Sequence, residues 1–147
     1  MAITPDLQAA VGPGVGLLLV THGRLGALIL GAAEEIIGSI PLPSDVLEVR
    51  PVQDGEVLMR QGQRMIERLD RGGGVLMLTD VFGSTPANIA ARLNRPPHTQ
   101  LVAGLNLPMM LRVLNYASLD LSALARAAVE GGQRGIVACC AAGAVAP

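Results

Sequence analysis

The stretch Val15-Gly16-Leu17-Leu18-Leu19-Val20 is apolar at every position and stops at Thr21-His22-Gly23. A strand with one face in water alternates apolar and polar side chains. One that is apolar throughout must be covered on both faces, as in a parallel sheet flanked by helices. Val75 to Thr79 repeats the pattern, Val46 to Val49 and Leu101 to Ala103 repeat it more briefly, and a fifth short strand is expected over Ile136 to Ala138. The chain is therefore expected to form a three-layer, doubly wound α/β domain, mainly parallel, with helices on both sheet faces.

The segments between these runs have helical spacing. Leu25, Leu28, Ile29, Ala32, Ala33, Ile36 and Ile37 mark one helix, with Gly38 as its stop. Leu58, Gly62, Met65, Ile66 and Leu69 mark a second, broken by Gly72-Gly73-Gly74. Thr85-Pro86 reads as an N-cap followed by proline at the first helical position, opening a helix that runs to Pro96-Pro97. Gly104-Leu105-Asn106-Leu107-Pro108 opens another helix. Ser118 or Asp120 caps a last one that ends at Gly131-Gly132. Residues 15–138 make one domain, with 1–14 as an N-terminal extension and 139–147 as a frayed tail.

Composition excludes several classes of function. There is one Phe (Phe82), one Tyr (Tyr116) and no Trp, so base-stacking platforms are lacking. Net charge is −1 and no cationic cluster stands out, which argues against a nucleic-acid groove. No apolar run reaches membrane-spanning length, and Met1 to Gln8 does not resemble a signal peptide. A cytoplasmic protein without direct membrane insertion is expected. Cys139 and Cys140 are adjacent, too close for an ordinary disulfide, and read as small buried or tail residues.

Ligands of open α/β sheets bind beyond the carboxyl ends of the strands. Three loops should gather there: Thr21-His22-Gly23-Arg24, Asp80-Val81-Phe82-Gly83-Ser84-Thr85-Pro86, and Gly104 to Pro108. If the first and third strands are neighbours, Asp80 lies close to His22. A carboxylate on one ring nitrogen fixes the tautomer, supports positive charge on the ring and leaves the other nitrogen free, as a nucleophilic histidine requires. Gly83-Ser84-Thr85 at a helix N-terminus offers N–H groups and hydroxyls to a phosphate. Taken singly, each feature has a plainer reading: a hydrogen-bonding histidine, a turn aspartate, a helix start, a capped loop. His98 falls at the opposite sheet edge, so His22 and Asp80 supply at most two metal ligands and no metal or other cofactor is expected. There is no Walker loop and no nucleophile elbow.

These segments resemble the enzyme IIA component of the mannose/fructose-type bacterial sugar phosphotransferase system. The likeness rests on the strand ending in Thr21-His22-Gly23, on Leu78 to Asn88, and on Ala103 to Met109, and it spans about residues 15 to 138. The resemblance implies a phosphotransferase working in a membrane-associated sugar-transport complex. His22 would accept phosphate from the carrier HPr and pass it to a IIB component. Asp80 would hold Nδ1, so that Nε2 takes the phosphate, with Gly23, Gly83, Ser84 and Thr85 around the group. It also implies a homodimer in which the C-terminal strand can pair with the partner subunit. Many members have two glycines and a serine where this chain has Gly83-Ser84-Thr85. No fused IIB domain is expected, because the sequence ends soon after the last strand.

Partner docking is expected at the apolar rim around His22, through Phe82, Leu105, Asn106, Leu107 and Met109. Two other functions remain open at this point. One is a stand-alone regulatory phosphoacceptor without a sugar permease. The other is a small tetrapyrrole metal chelatase, whose relatives also carry a strand ending in His-Gly; the missing second rim histidine and the Asp80 and Asn106 motifs argue against it.

Overall fold

Each apolar run forms a strand of a single sheet in the computed structural model, which describes residues 13–139. The strands are β1 (Gly16–His22), β2 (Ser44–Val49), β3 (Val75–Thr79) and β4 (Thr99–Ala103). The helices are α1 (Leu25–Ile37), α2 (Gly55–Leu69), α3 (Thr85–Leu93), α4 (Leu107–Asn115) and α5 (Leu121–Arg134). All strand pairs are parallel, in the order β2-β1-β3-β4. Register pairs Val20 with Thr79 across β1 and β3, and His22 with Val49 across β1 and β2.

The unbroken apolarity of β1 and β3 is explained by two cores, one on each sheet face. Leu17, Leu19, Leu76 and Leu78 pack beneath α1, α4 and α5, with Met110, Val113, Leu124 and Ala128. Leu18, Val20, Val75 and Met77 pack beneath α2 and α3, with Leu58, Ile89, Ala90 and Leu93. Successive strand residues thus enter opposite cores, and neither face is left for water.

Two expectations need correction. Residues 136–138 form no strand: they follow α5 as exposed chain, with Ile136 79% exposed, and pair with no strand among the described residues. Gly131-Gly132 does not end the last helix. Both are buried inside α5, where a Cβ on Gly131 would collide with Arg112 and one on Gly132 would stand 2.9 Å from Met109 Cε. Their lack of side chains brings α5 against α4, and the helix stops at Gly135 instead. α1 forms as expected but is covered only in part: Leu25, Leu28 and Ile36 are exposed.

The N-terminal extension through residue 12 and the tail from residue 140 lie outside the described residues, as does Cys140; Cys139 is exposed. Among the described residues no helix is long and apolar enough to cross a membrane.

Candidate functional site

His22 is the last residue of β1, and β1 is where the chain changes direction across the sheet. It steps from β1 outward to β2, then returns across β1 to β3 and continues to β4. The reversal opens a crevice between the carboxyl ends of β1 and β3, the usual ligand position in such sheets. Asp80 directly follows β3 and faces His22 across that crevice.

The contact is close. Asp80 Oδ2 lies 2.7 Å from His22 Nδ1 and also accepts the His22 backbone N–H at 3.0 Å. Its other oxygen accepts the Val81 N–H at 3.0 Å. The Asp80 side chain is 4% exposed, whereas that of His22 is 54% exposed. Burial by itself would raise the Asp80 carboxyl pKa. The hydrogen bonds from the His22 ring and from backbone N–H groups, with attraction to the ring, outweigh it and hold the carboxyl below its ordinary value. An ionised carboxylate only accepts hydrogen bonds, so Nδ1 carries the proton. Nε2 then holds the lone pair on a ring that stands half in solvent.

The second loop departs from its expected form. The N-cap of α3 is Ser84, not Thr85; Thr85 and Pro86 occupy the first two helical positions. The Ser84 hydroxyl donates to the Val81 carbonyl at 2.6 Å and receives the Ala87 N–H at 3.4 Å. It is therefore committed to shaping its own loop. Gly83 has φ +81°, a turn conformation that side chains resist. Thr85 is exposed at the head of the helix. Ser84→Ala is expected to destabilise the fold by about 1 kcal/mol through loss of the cap; a urea midpoint unchanged within error would show that the cap contributes nothing.

The third loop is built for structure. The N–H groups of Gly104 and Leu105 both donate to the Thr79 carbonyl at 3.0 Å, tying the loop to the end of β3. Asn106 caps α4 by accepting the Met109 N–H at 2.8 Å and donates to the Gly132 carbonyl on α5 at 3.1 Å. Leu105 and Met109, expected as docking residues, are instead core residues, 8% and 3% exposed. Each packs in the cluster beneath α1, α4 and α5, where helix packing claims any apolar side chain on the inner face. Leu107 is half-buried against the same cluster. Phe82, at 88% exposed, remains on the rim.

Sequence reasoning gave no role to several residues around this rim. Thr21 is buried, and its hydroxyl accepts the Gly26 N–H at 2.8 Å, capping α1 from the preceding strand. Val52 and Val81, on the loops after β2 and β3, and Leu25, the first residue of α1, are exposed apolar residues at the carboxyl end of the sheet. Arg50 follows β2, and its Nη1 lies 3.8 Å from where a Cβ on Gly23 would be. His98 precedes β4, at the opposite end of the sheet, where its carbonyl accepts the Val75 N–H. Among the described residues no cluster of three or more His, Cys, Asp or Glu side chains is placed to hold a metal ion.

Comparison with known proteins bears on the family and the fold. A family model described as the fructose IIA component of the phosphotransferase system, PTS, matches residues 16–129. The mannose-specific EIIAB component of the PTS of Escherichia coli K12 is 30% identical over 129 residues, covering 84% of this chain and 39% of that protein. The chain thus spans about two fifths of the length of that curated relative. Among solved structures, the EIIA component of Streptococcus agalactiae superposes with a TM-score of 0.74 at 22% identity, covering 84% of this chain and 96% of that one. A mannose/sorbose-specific IIA subunit from Enterococcus faecalis gives 0.70 at 22% identity, covering 88% and 97%. At that identity the structural likeness speaks for the fold.

Proposed function

Because the chain belongs to the EIIA-man family, the fructose IIA components of the phosphotransferase system, we propose that it is a cytoplasmic phosphohistidine carrier with His22 as its phosphoryl acceptor. The observation that carries this reading is the 2.7 Å contact between His22 Nδ1 and the buried Asp80 carboxylate, which leaves Nε2 on the exposed side of the ring.

The step follows from that arrangement. The Nε2 lone pair attacks the phosphorus of phospho-HPr. The donor's P–N bond breaks as the new one forms, and its electron pair stays on the donor's imidazole nitrogen. The His22 ring becomes cationic while Nδ1 keeps its proton, and Asp80 stabilises that charge. Onward transfer to a IIB component is the same exchange in reverse. Such chemistry asks chiefly for positioning and charge stabilisation. The backbone around Gly23 and Gly83 and the exposed head of α3 at Thr85 would hold the phosphoryl oxygens, since a helix N-terminus favours anions. Ser84 would contribute by shaping that loop. Phe82, with Val81, Val52 and Leu25, would meet the partner protein, with Leu107 at the margin.

Incubation with phosphoenolpyruvate, enzyme I and HPr should add the mass of one phosphoryl group, labile in acid. No such increment in the presence of active enzyme I and HPr overturns the reading.

The same reading includes a homodimer. Among the described residues β4 is an edge strand of the sheet, and Ile136 and Val137 are exposed just beyond α5. An edge strand and an exposed apolar segment outside any helix suit strand exchange between two copies. Light scattering at micromolar concentration should give the dimer mass. Ile136→Asp combined with Val137→Asp should give the monomer; an unchanged mass would remove this segment from the interface.

A further inference from the structure

β2 brings a cation to the rim next to the nucleophile. Arg50 follows Val49, the residue in register with His22, and the Gly23 N–H donates to the Val49 carbonyl at 2.9 Å. One arm of the Arg50 guanidinium is held: Nη2 donates to Glu48 Oε2 at 2.8 Å. Its backbone is also held, the Arg50 N–H donating to Gln53 Oε1 at 2.7 Å. The other arm, Nη1, stands over Gly23, 3.8 Å from the position a Cβ would take there. The strand order β2-β1-β3 sets Arg50 and Asp80 on opposite sides of His22. Nδ1 is turned to Asp80, so Nε2 points away from β3.

We propose that Arg50 is a phosphoryl-contacting residue of this site: its Nη1 arm binds the group carried on His22 Nε2, while Glu48 holds the Nη2 arm in place. The proposal rests on the phosphohistidine reading above. A guanidinium is a planar fork matched to phosphoryl oxygens, always charged and more weakly hydrated than an ammonium. In phosphoryl transfer negative charge spreads over the three equatorial oxygens, where a fixed cation stabilises the transition state. Arg50 exchanges no proton: the Nε2 lone pair forms the N–P bond, and the donor's P–N electron pair leaves with the donor nitrogen. The plainer role, an exposed ion pair with Glu48, contributes little to stability. Substitution at Arg50 should therefore leave the fold intact.

The test uses phosphoramidate as a small phosphoryl donor, which releases ammonia and needs no protein docking, beside phospho-HPr. Arg50→Ala and Arg50→Gln should slow labelling of His22 about tenfold or more with both donors, the scale of one charge-assisted hydrogen bond. Arg50→Lys should recover part of the rate. The phosphorus-31 resonance of phosphorylated Arg50→Ala should be displaced from that of the wild type. Arg60→Ala, which removes an exposed cation from α2, should match the wild type. Wild-type rates and an unshifted resonance in Arg50→Ala overturn the proposal. So does a loss confined to phospho-HPr, which would make Arg50 a docking contact, or an equal loss in Arg60→Ala, which would make the effect one of overall charge. If the wild type takes no label from either donor, the phosphohistidine reading itself fails. If it is labelled on His22 and Arg50 is indifferent, only the arginine's role falls.

Discussion

His22→Ala is expected to take acid-labile phosphorylation to background while the protein stays folded. The ring is half in solvent at the end of β1 and belongs to neither core. Its backbone N–H still donates to Asp80 when the side chain is gone. Loss of the ring's hydrogen bond to the buried Asp80 carboxylate should cost about 1–3 kcal/mol, while its backbone N–H partners remain. Activity has no such reserve, because the nucleophile is removed rather than misplaced. His98→Ala is the matched control: that residue lies at the other end of the sheet, and its substitution should leave labelling untouched. Intact-mass measurement after incubation with phospho-HPr reads both variants. Label persisting in His22→Ala would sink the assignment.

Asp80→Asn should slow transfer roughly a hundredfold or more, the loss expected when a histidine is held in the wrong tautomer and its cation is unsupported. The amide keeps the shape of the carboxylate but has one accepting oxygen in place of two, so it cannot satisfy the His22 and Val81 donors together. It cannot select the Nδ1–H tautomer, nor does it offset the charge of the phosphorylated ring. The same variant has a signature in stability. The folded Asp80 carboxyl lies below its ordinary pKa, so its stabilising contribution is complete above the ordinary value and is lost as pH falls toward the folded one. The wild type should therefore be the more sensitive of the two below about pH 4, and its melting temperature should approach that of Asp80→Asn there. Parallel melting curves across that range, or an unchanged transfer rate at neutral pH, would remove Asp80 from its role.

The two halves of the site were not equally legible. His22 and Asp80 each follow an apolar run, and an apolar run that stops at a polar residue announces a strand end. That β1 and β3 are neighbours was a condition the pattern could state but not meet. Hairpin turns reveal strand adjacency locally; parallel strands joined by helical crossovers do not. The Thr85-Pro86 signal found the start of α3 but misplaced its cap by one residue, because proline was read at the first helical position and it stands at the second. The choice fell to Ser84, whose hydroxyl also reaches the Val81 carbonyl.

Docking residues were the least legible. Leu105 and Met109 look like Phe82 in a list of rim residues, yet two are core and one is solvent-facing. The difference depends on how α4 leans on α5, which is set by Gly131 and Gly132 more than twenty residues later. Arg50 had no signal at all, since its neighbour Gly23 is distant in sequence and close only through the β1–β2 register.

The sequence by itself determined the layer architecture and put a histidine at the end of the first strand. Unbroken apolar strands with helical spacers have few ways to hide both faces, and a strand end has only one place to present a histidine. Tertiary structure alone decided what surrounds that histidine: the carboxylate on Nδ1, the arginine across the sheet, and which apolar side chains remain at the rim. Those are pairings between segments far apart in the chain, and they are fixed by strand order and helix packing, for which no local pattern carries the information.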